Sequence, residues 1–257
     1  MFRYRGLIRA IVSRELAGRY TGSLLGPLWL IIPPVFMIFI YTVVFSQFMR
    51  SRLPGSSDAY AYSIYLCAGL LVWTPFLEAM QRAKNVFIEH ANLIKKSAFP
   101  RPVLFVPVAI VAAVNFGLLA LAFLGFLLFS RGLPDPALAW VPLCAAIATL
   151  LGLALGAVLA VLNVFFRDVG QIAELAAQLL FWATPIVYPA SILPEAILDV
   201  LALNPLFPLV HASQQAALGA GPVDARSFLA PLVCTVLVAL LAGVLFSRAK
   251  ADLMDQL

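Results

Sequence analysis

Two short stretches hold the residues whose types and spacing could do chemistry. The first reads Asn92-Leu93-Ile94-Lys95-Lys96-Ser97-Ala98-Phe99-Pro100-Arg101. Leu93 and Ile94 can enter an apolar groove, while Lys95, Lys96 and Arg101 can meet acidic groups or lipid phosphates. Pro100 limits helix continuation from the residue before it. The second is Arg167-Asp168, an opposite-charge pair between two apolar runs. The first suits contact with a partner or a lipid surface rather than bond making, and the second marks a turn between two apolar runs. A plain basic loop and a local salt pair capping a helix stay open as the simpler readings.

Catalytic patterns are missing. There is no Gly-Lys dipeptide, so no P-loop of that type, and no Gly-x-Ser-x-Gly or Asp-x-Asp. His90 and His211 are not spaced as a metal pair. Cys67, Cys144 and Cys234 are far apart and read as small buried hydrophobes. Glu78 and Glu174 fall near the ends of apolar runs, leaving no mid-membrane relay for a proton-coupled carrier. The energy that drives this protein is expected from outside it.

The elements that carry these stretches follow from composition. The chain has 257 residues, 63% hydrophobic and only 11% charged, against about 25% charged in a soluble domain. Its solvent must be a bilayer. Charge-free runs cover residues 20–49, 59–77, 102–130, 136–166, 175–194, 200–223 and 227–247, and about 20 apolar residues suffice to span. The run 200–223 is broken by Asn204, Pro205, Pro208, His211, Gln214, Gln215, Gly219 and Gly221. It reads as a re-entrant or interfacial segment, since irregular backbone at membrane depth needs protein or water around it. Six spans remain.

With the N-terminus inside, thirteen basic residues fall on the inner side and four (Arg50, Arg52, Arg131 and Arg226) outside. That asymmetry places both ends in the cytoplasm. The net charge of +5 then needs no nucleic-acid partner; membrane lipids account for it. The first twenty residues carry five arginines and no apolar core, so no cleavable signal peptide is expected. Residues 2–19 are amphipathic and suit a helix lying in the membrane surface, or else a simple positive tether. Pro33-Pro34 is expected to kink the first span, about residues 26–48. Tyr60, Tyr62 and Tyr65 read as interface anchors of the second span, about residues 60–80. Trp73, Phe76, Trp182 and Tyr188 are candidates to stack on sugar rings in a channel, with an interfacial aromatic belt as the alternative.

The run Arg14-Glu15-Leu16-Ala17-Gly18-Arg19-Tyr20-Thr21-Gly22-Ser23-Leu24-Leu25-Gly26-Pro27-Leu28-Trp29 closely resembles the opening of ABC-2 type membrane subunits that export polysaccharides, the Wzm-type permeases for O-antigen, capsule and teichoic acid. The 92–101 stretch looks like that family's motif between spans two and three. Asn163-Val164-Phe165-Phe166-Arg167-Asp168-Val169 is similar to its inner turn between spans four and five, and Asn204-Pro205 also fits.

The resemblance implies an all-α integral membrane protein of six transmembrane helices forming one domain, residues 1–257. It would have an interface helix (1–22, with Arg14, Glu15, Arg19 and Tyr20), a cytoplasmic gate or coupling segment (81–101), and re-entrant helices (185–223). It implies a homodimer in the bacterial inner membrane, working with two copies of a separate ATPase and exporting a lipid-linked polysaccharide. ATP and Mg would sit on that partner and no cofactor on this chain. Asn92, Leu93, Ile94, Lys95, Lys96, Phe99, Pro100 and Arg101, with Arg167 and Asp168, would be the ATPase contacts. An exporter of a small hydrophobic drug or another lipid is the alternative. A membrane-embedded enzyme would need converging polar residues at one face, which the sequence does not display.

Overall fold

The computed structural model describes residues 4–18, 26–44, 58–96, 99–133, 135–166, 168–249 and 256, apart from the side chains of Pro27, Leu30 and Lys96. Every regular element among them is helical. In chain order these are α1 (Arg5–Gly18), α2 (Ile32–Thr42), α3 (Ala61–Glu89), α4 (Ala91–Lys96), α5 (Phe105–Ser130), α6 (Trp140–Phe165), α7 (Asp168–Trp182), α8 (Glu195–Leu201), α9 (Leu206–Leu218) and α10 (Leu229–Ala249).

Four helical stretches are long and apolar enough to cross a membrane: Ala61–Glu89, Arg101–Ser130, Pro136–Phe165 and Ala225–Ala249. The pair α8 and α9 makes a fifth if taken as one span, although it bends by 109° at its break. Among the described residues the expected first span holds a 3-10 turn (Gly26–Leu30) and the eleven-residue α2, the latter about 16 Å of helix. Residues 45–57 beyond it lie outside the described residues. The expected fifth span is the fifteen-residue α7, which opens at Asp168, seven residues before its apolar run, and leaves the helix after Trp182.

Two expectations about span ends change. Pro33 and Pro34 do not kink a helix; they sit in the first turn of α2, where an N–H has no intrahelical acceptor to lose. The second span does not end near residue 80. Its helix continues to Glu89 and reaches about 43 Å, well beyond a hydrocarbon core of about 30 Å. The first half of the 81–101 segment is therefore helix. Pro75 lies inside α3 and deprives the Leu71 carbonyl of its usual partner.

α3 is the axis of the bundle. Of its most apolar stretch 83% is buried inside the chain, against 22% for the stretch ending in α10. Its largest interface is with α6, then with α9 and α5. The approach to α6 depends on small residues. A Cβ at Gly152 would overlap the Phe76 carbonyl oxygen, and one at Gly156 would lie 2.7 Å from the Met80 carbonyl oxygen. Without a hydrophobic drive between helices in lipid, such close approach supplies the packing energy. Leu66, Trp73, Phe76, Leu151, Ile186, Leu206 and Leu209 fill the central core. α9 ends at Gly219 in the left-handed conformation (φ 65°), a cap that favours glycine. Cys67 and Cys144 are buried, Cys234 is half-buried, and all are free thiols.

Gly152→Val should force α3 and α6 apart. A loss of about 2–3 kcal/mol is expected, read as a lower unfolding midpoint in detergent, with Gly243→Val, in open space, as the control.

Candidate functional site

α3 and α6 run in the same direction: Gly152 faces Phe76, Gly156 faces Met80 and Ala83, and Asn163 reaches Lys84 and Asn85. The C-terminal ends of both helices therefore meet at one end of the bundle. α4 follows α3 there, and α7 starts there. Phe87 packs on Phe105 at the start of α5 and stacks on Phe246 near the end of α10. The sequence stretches singled out for docking gather at this end.

Within α4, Ile94 is buried against Phe87, Leu104, Val108 and Val161, with Leu93 and Phe99 half-buried beside it. Asn92, Lys95 and Pro100 are exposed. Arg101 sits over the Phe246 ring, 5.9 Å from its centroid, within cation–π range. Ile94 thus anchors α4 to the bundle and leaves Asn92 and Lys95 outward. Asp168 is exposed at the start of α7, where a carboxylate complements the helix dipole. Arg14 is exposed on α1. Arg19, Tyr20 and Arg167 lie outside the described residues, as does the Lys96 side chain.

Two polar clusters join the helices at this end, and the sequence reading missed both. Arg82 donates to Glu15 of α1 at 2.6 Å and to Glu78 at 2.9 Å, and Asn115 of α5 donates to Glu78 at 2.5 Å. Three helices are tied through one guanidinium, one amide and two carboxylates. These groups border a cavity of about 570 Å³ between α2, α3 and α5, lined on its polar wall by Glu78, Gln81, Arg82 and Asn115 and on its apolar wall by Trp29 and Pro33. In the second cluster Lys84 donates to Glu174 at 2.8 Å and to the Gly170 carbonyl at 3.0 Å. Asn163 donates to the Lys84 carbonyl and to Asn85, each at 3.3 Å. The i, i+4 spacing of Glu78 and Arg82 was visible in the sequence; their partners on α1 and α5 were not.

The aromatic candidates separate. Trp73 and Phe76 are 5% and 0% exposed; they pack on each other, and Trp73 also on Phe181. They fill the core and present no face to a channel, because α3 is the bundle's axis. Trp182 is 58% exposed. Tyr188 is half-buried and donates to the Trp182 carbonyl at 2.6 Å. Tyr62 and Tyr65 are not interface anchors. Tyr62 donates to the Val187 carbonyl, and the Tyr65 hydroxyl lies 3.0 Å from the carbonyls of both Pro185 and Tyr188. Gln214 of α9, 2% exposed, also donates to Pro185, and Asn204 donates to the Thr184 hydroxyl. The non-helical backbone after α7 thus has its carbonyls answered by side chains, as buried irregular backbone requires. At this other end Arg131 binds Asp58 at 2.6 Å and the Leu218 carbonyl at 3.2 Å, closing α3, α5 and α9 together.

Among the described residues no group of His, Cys, Asp and Glu could hold a metal ion. The fold defines an all-helical, multi-pass membrane protein. The chain belongs to the ABC-2 type transporter family, whose model matches residues 6–218. Among its relatives, an O-antigen export system permease protein RfbA of Klebsiella pneumoniae is 30% identical over 207 residues, covering 79% of this chain and 77% of its own. A protein of the same name from Myxococcus xanthus is 29% identical over 260 residues, covering 100% of this chain and 97% of its own.

Arg82→Met should loosen α1, since it removes the cation that Glu15 and Glu78 share. With the partners about a quarter exposed, a loss of about 1 kcal/mol is expected. Trypsin should then cut after Arg14 about fivefold faster in the variant than in the native protein.

Proposed function

We propose that this chain is the transmembrane subunit of an ATP-binding-cassette exporter that moves a lipid-linked, O-antigen-type polysaccharide from the cytoplasmic leaflet outwards. In this reading it makes six passages of the bacterial inner membrane, with α2 and α7 in the first and fifth, and both ends are cytoplasmic. The end that carries α4 faces the cytoplasm, and the segment around α8 and α9 re-enters from outside. Two copies form the conduit. Two ATPase subunits, which bind ATP and Mg, dock on Asn92, Lys95 and the Arg167-Asp168 turn.

The observation that carries the conduit is on α7. Gln171, Glu174 and Gln178 are all exposed at helical spacing on one stripe, next to exposed Ile172, Leu175, Leu179 and Trp182. A stripe of two amides and a carboxylate is costly against lipid tails. A second copy against the apolar residues, with water along the polar ones, relieves that cost. Such a wet path suits a hydrated polymer better than a small hydrophobic drug. The names of the two relatives support the same substrate class.

A deletion strain should lose its high-molecular-weight surface glycan and accumulate glycan inside. Normal glycan outside with none within would sink the reading, and a changed drug or lipid profile instead would favour the alternative exporter. Gln171→Leu with Gln178→Leu should lower export about tenfold or more, a barrier increase of about 1.4 kcal/mol, while the protein still inserts. Lys95→Glu should weaken capture of the ATPase subunit, measured by co-purification.

A further inference from the structure

Lys84 is the most deeply buried charge among the described residues: its side chain is 2% exposed, while that of Glu174, its partner, is 60% exposed. A salt bridge with one end inside and one end in water is a poor source of stability. Its geometry suggests another use. The ammonium reaches the Gly170 carbonyl at 3.0 Å and Glu174 at 2.8 Å, and so holds the first two turns of α7. The Lys84 backbone carbonyl is itself held by Asn163 at 3.3 Å, from the last turn of α6. Gly170 completes the joint, because a Cβ there would lie 3.2 Å from the Asn163 side-chain oxygen. The start of α7 is thus fastened to α3 seven residues ahead of α4.

We infer that Lys84 is a positioning residue that locks the start of α7 to the end of α3, so that α4 and the α6–α7 turn move as one body. Resting on the exporter reading above, this makes Lys84 the group through which a push on α4 reaches α7 and its polar stripe. Without it, α4 and the turn would respond to an ATPase separately.

Stability and coupling separate in the variants. Lys84→Met removes the cation and strands nothing costly, since Glu174 faces water and the Gly170 carbonyl lies within α7. Removing one partner of an ion pair is costly when it leaves the other charge buried; here the charge left behind, on Glu174, is 60% exposed, and the desolvation cost of the ammonium is removed. Glu174→Gln does the opposite: it removes the counter-charge and leaves the buried ammonium with uncharged acceptors only. If Lys84 only held the fold, export would follow the unfolding midpoint across both variants. As a positioning residue, Lys84→Met should keep or raise the midpoint yet lose export about tenfold, and Lys84→Arg should restore most of it.

The direct readout is the distance between spin labels placed on exposed Ile88 of α3 and Ile172 of α7, in full-length protein in lipid nanodiscs without any ATPase. With labelled chains diluted in an excess of unlabelled ones, so that only distances within one chain are read, the native chain should give one narrow distribution, and Lys84→Met a broader one. An unchanged distribution overturns the inference, and so does a broadened one with export intact. If the native chain exports no glycan, the exporter reading falls, and the distance measurement alone decides whether the lock exists.

Discussion

No water is available inside a bilayer to satisfy a stray polar group, and this constraint shapes the chain from its central helix outwards. α3 carries Tyr62, Tyr65, Glu78, Arg82 and Lys84, and each meets a partner from a different part of the sequence. These partners decide where α1, α5 and α7 can sit and how the irregular backbone near Pro185 is tolerated. The apolar packing of α3 on α6 brings the helices close. The polar contacts fix the arrangement at each end.

The same constraint explains why α7 differs from its neighbours. Its buried side is made of Ala173 and Ala177, small residues that let it lie close to the bundle. Its other face mixes amides with large apolar groups, so that neither lipid nor water alone is a good solvent for it. A face of that kind is satisfied by a protein neighbour and an aqueous path together.

The membrane-spanning character of α3, α5, α6 and α10 was legible in the sequence, because each carries an apolar run that no soluble helix would sustain. The stretches 92–101 and 163–169 were picked out in the sequence too, and parallel α3 and α6 bring their described residues to one end. Other features were not. The continuation of α3 to Glu89 was hidden because its last turns carry charges, which read as loop unless their partners are known. Tyr62 and Tyr65 resembled interfacial anchors because a hydroxyl bound to a carbonyl 120 or more residues away leaves no local trace. Trp73 and Phe76 looked available for a sugar because aromatic identity says nothing about which helix ends up in the middle. The roles of Lys84 and Glu174 needed the same long-range information, being 90 residues apart.

Pro75 gives α3 an uneven stiffness. The residues that grip the irregular segment near Pro185, Tyr62 and Tyr65, precede the missing hydrogen bond, and the residues that grip α1, α5 and α7 follow it. The bundle's axis is thus two stiff rods in series with a compliant joint between them. A helix bends most readily where such a bond is missing, so a tilt of one set of grips against the other is expected to fall there.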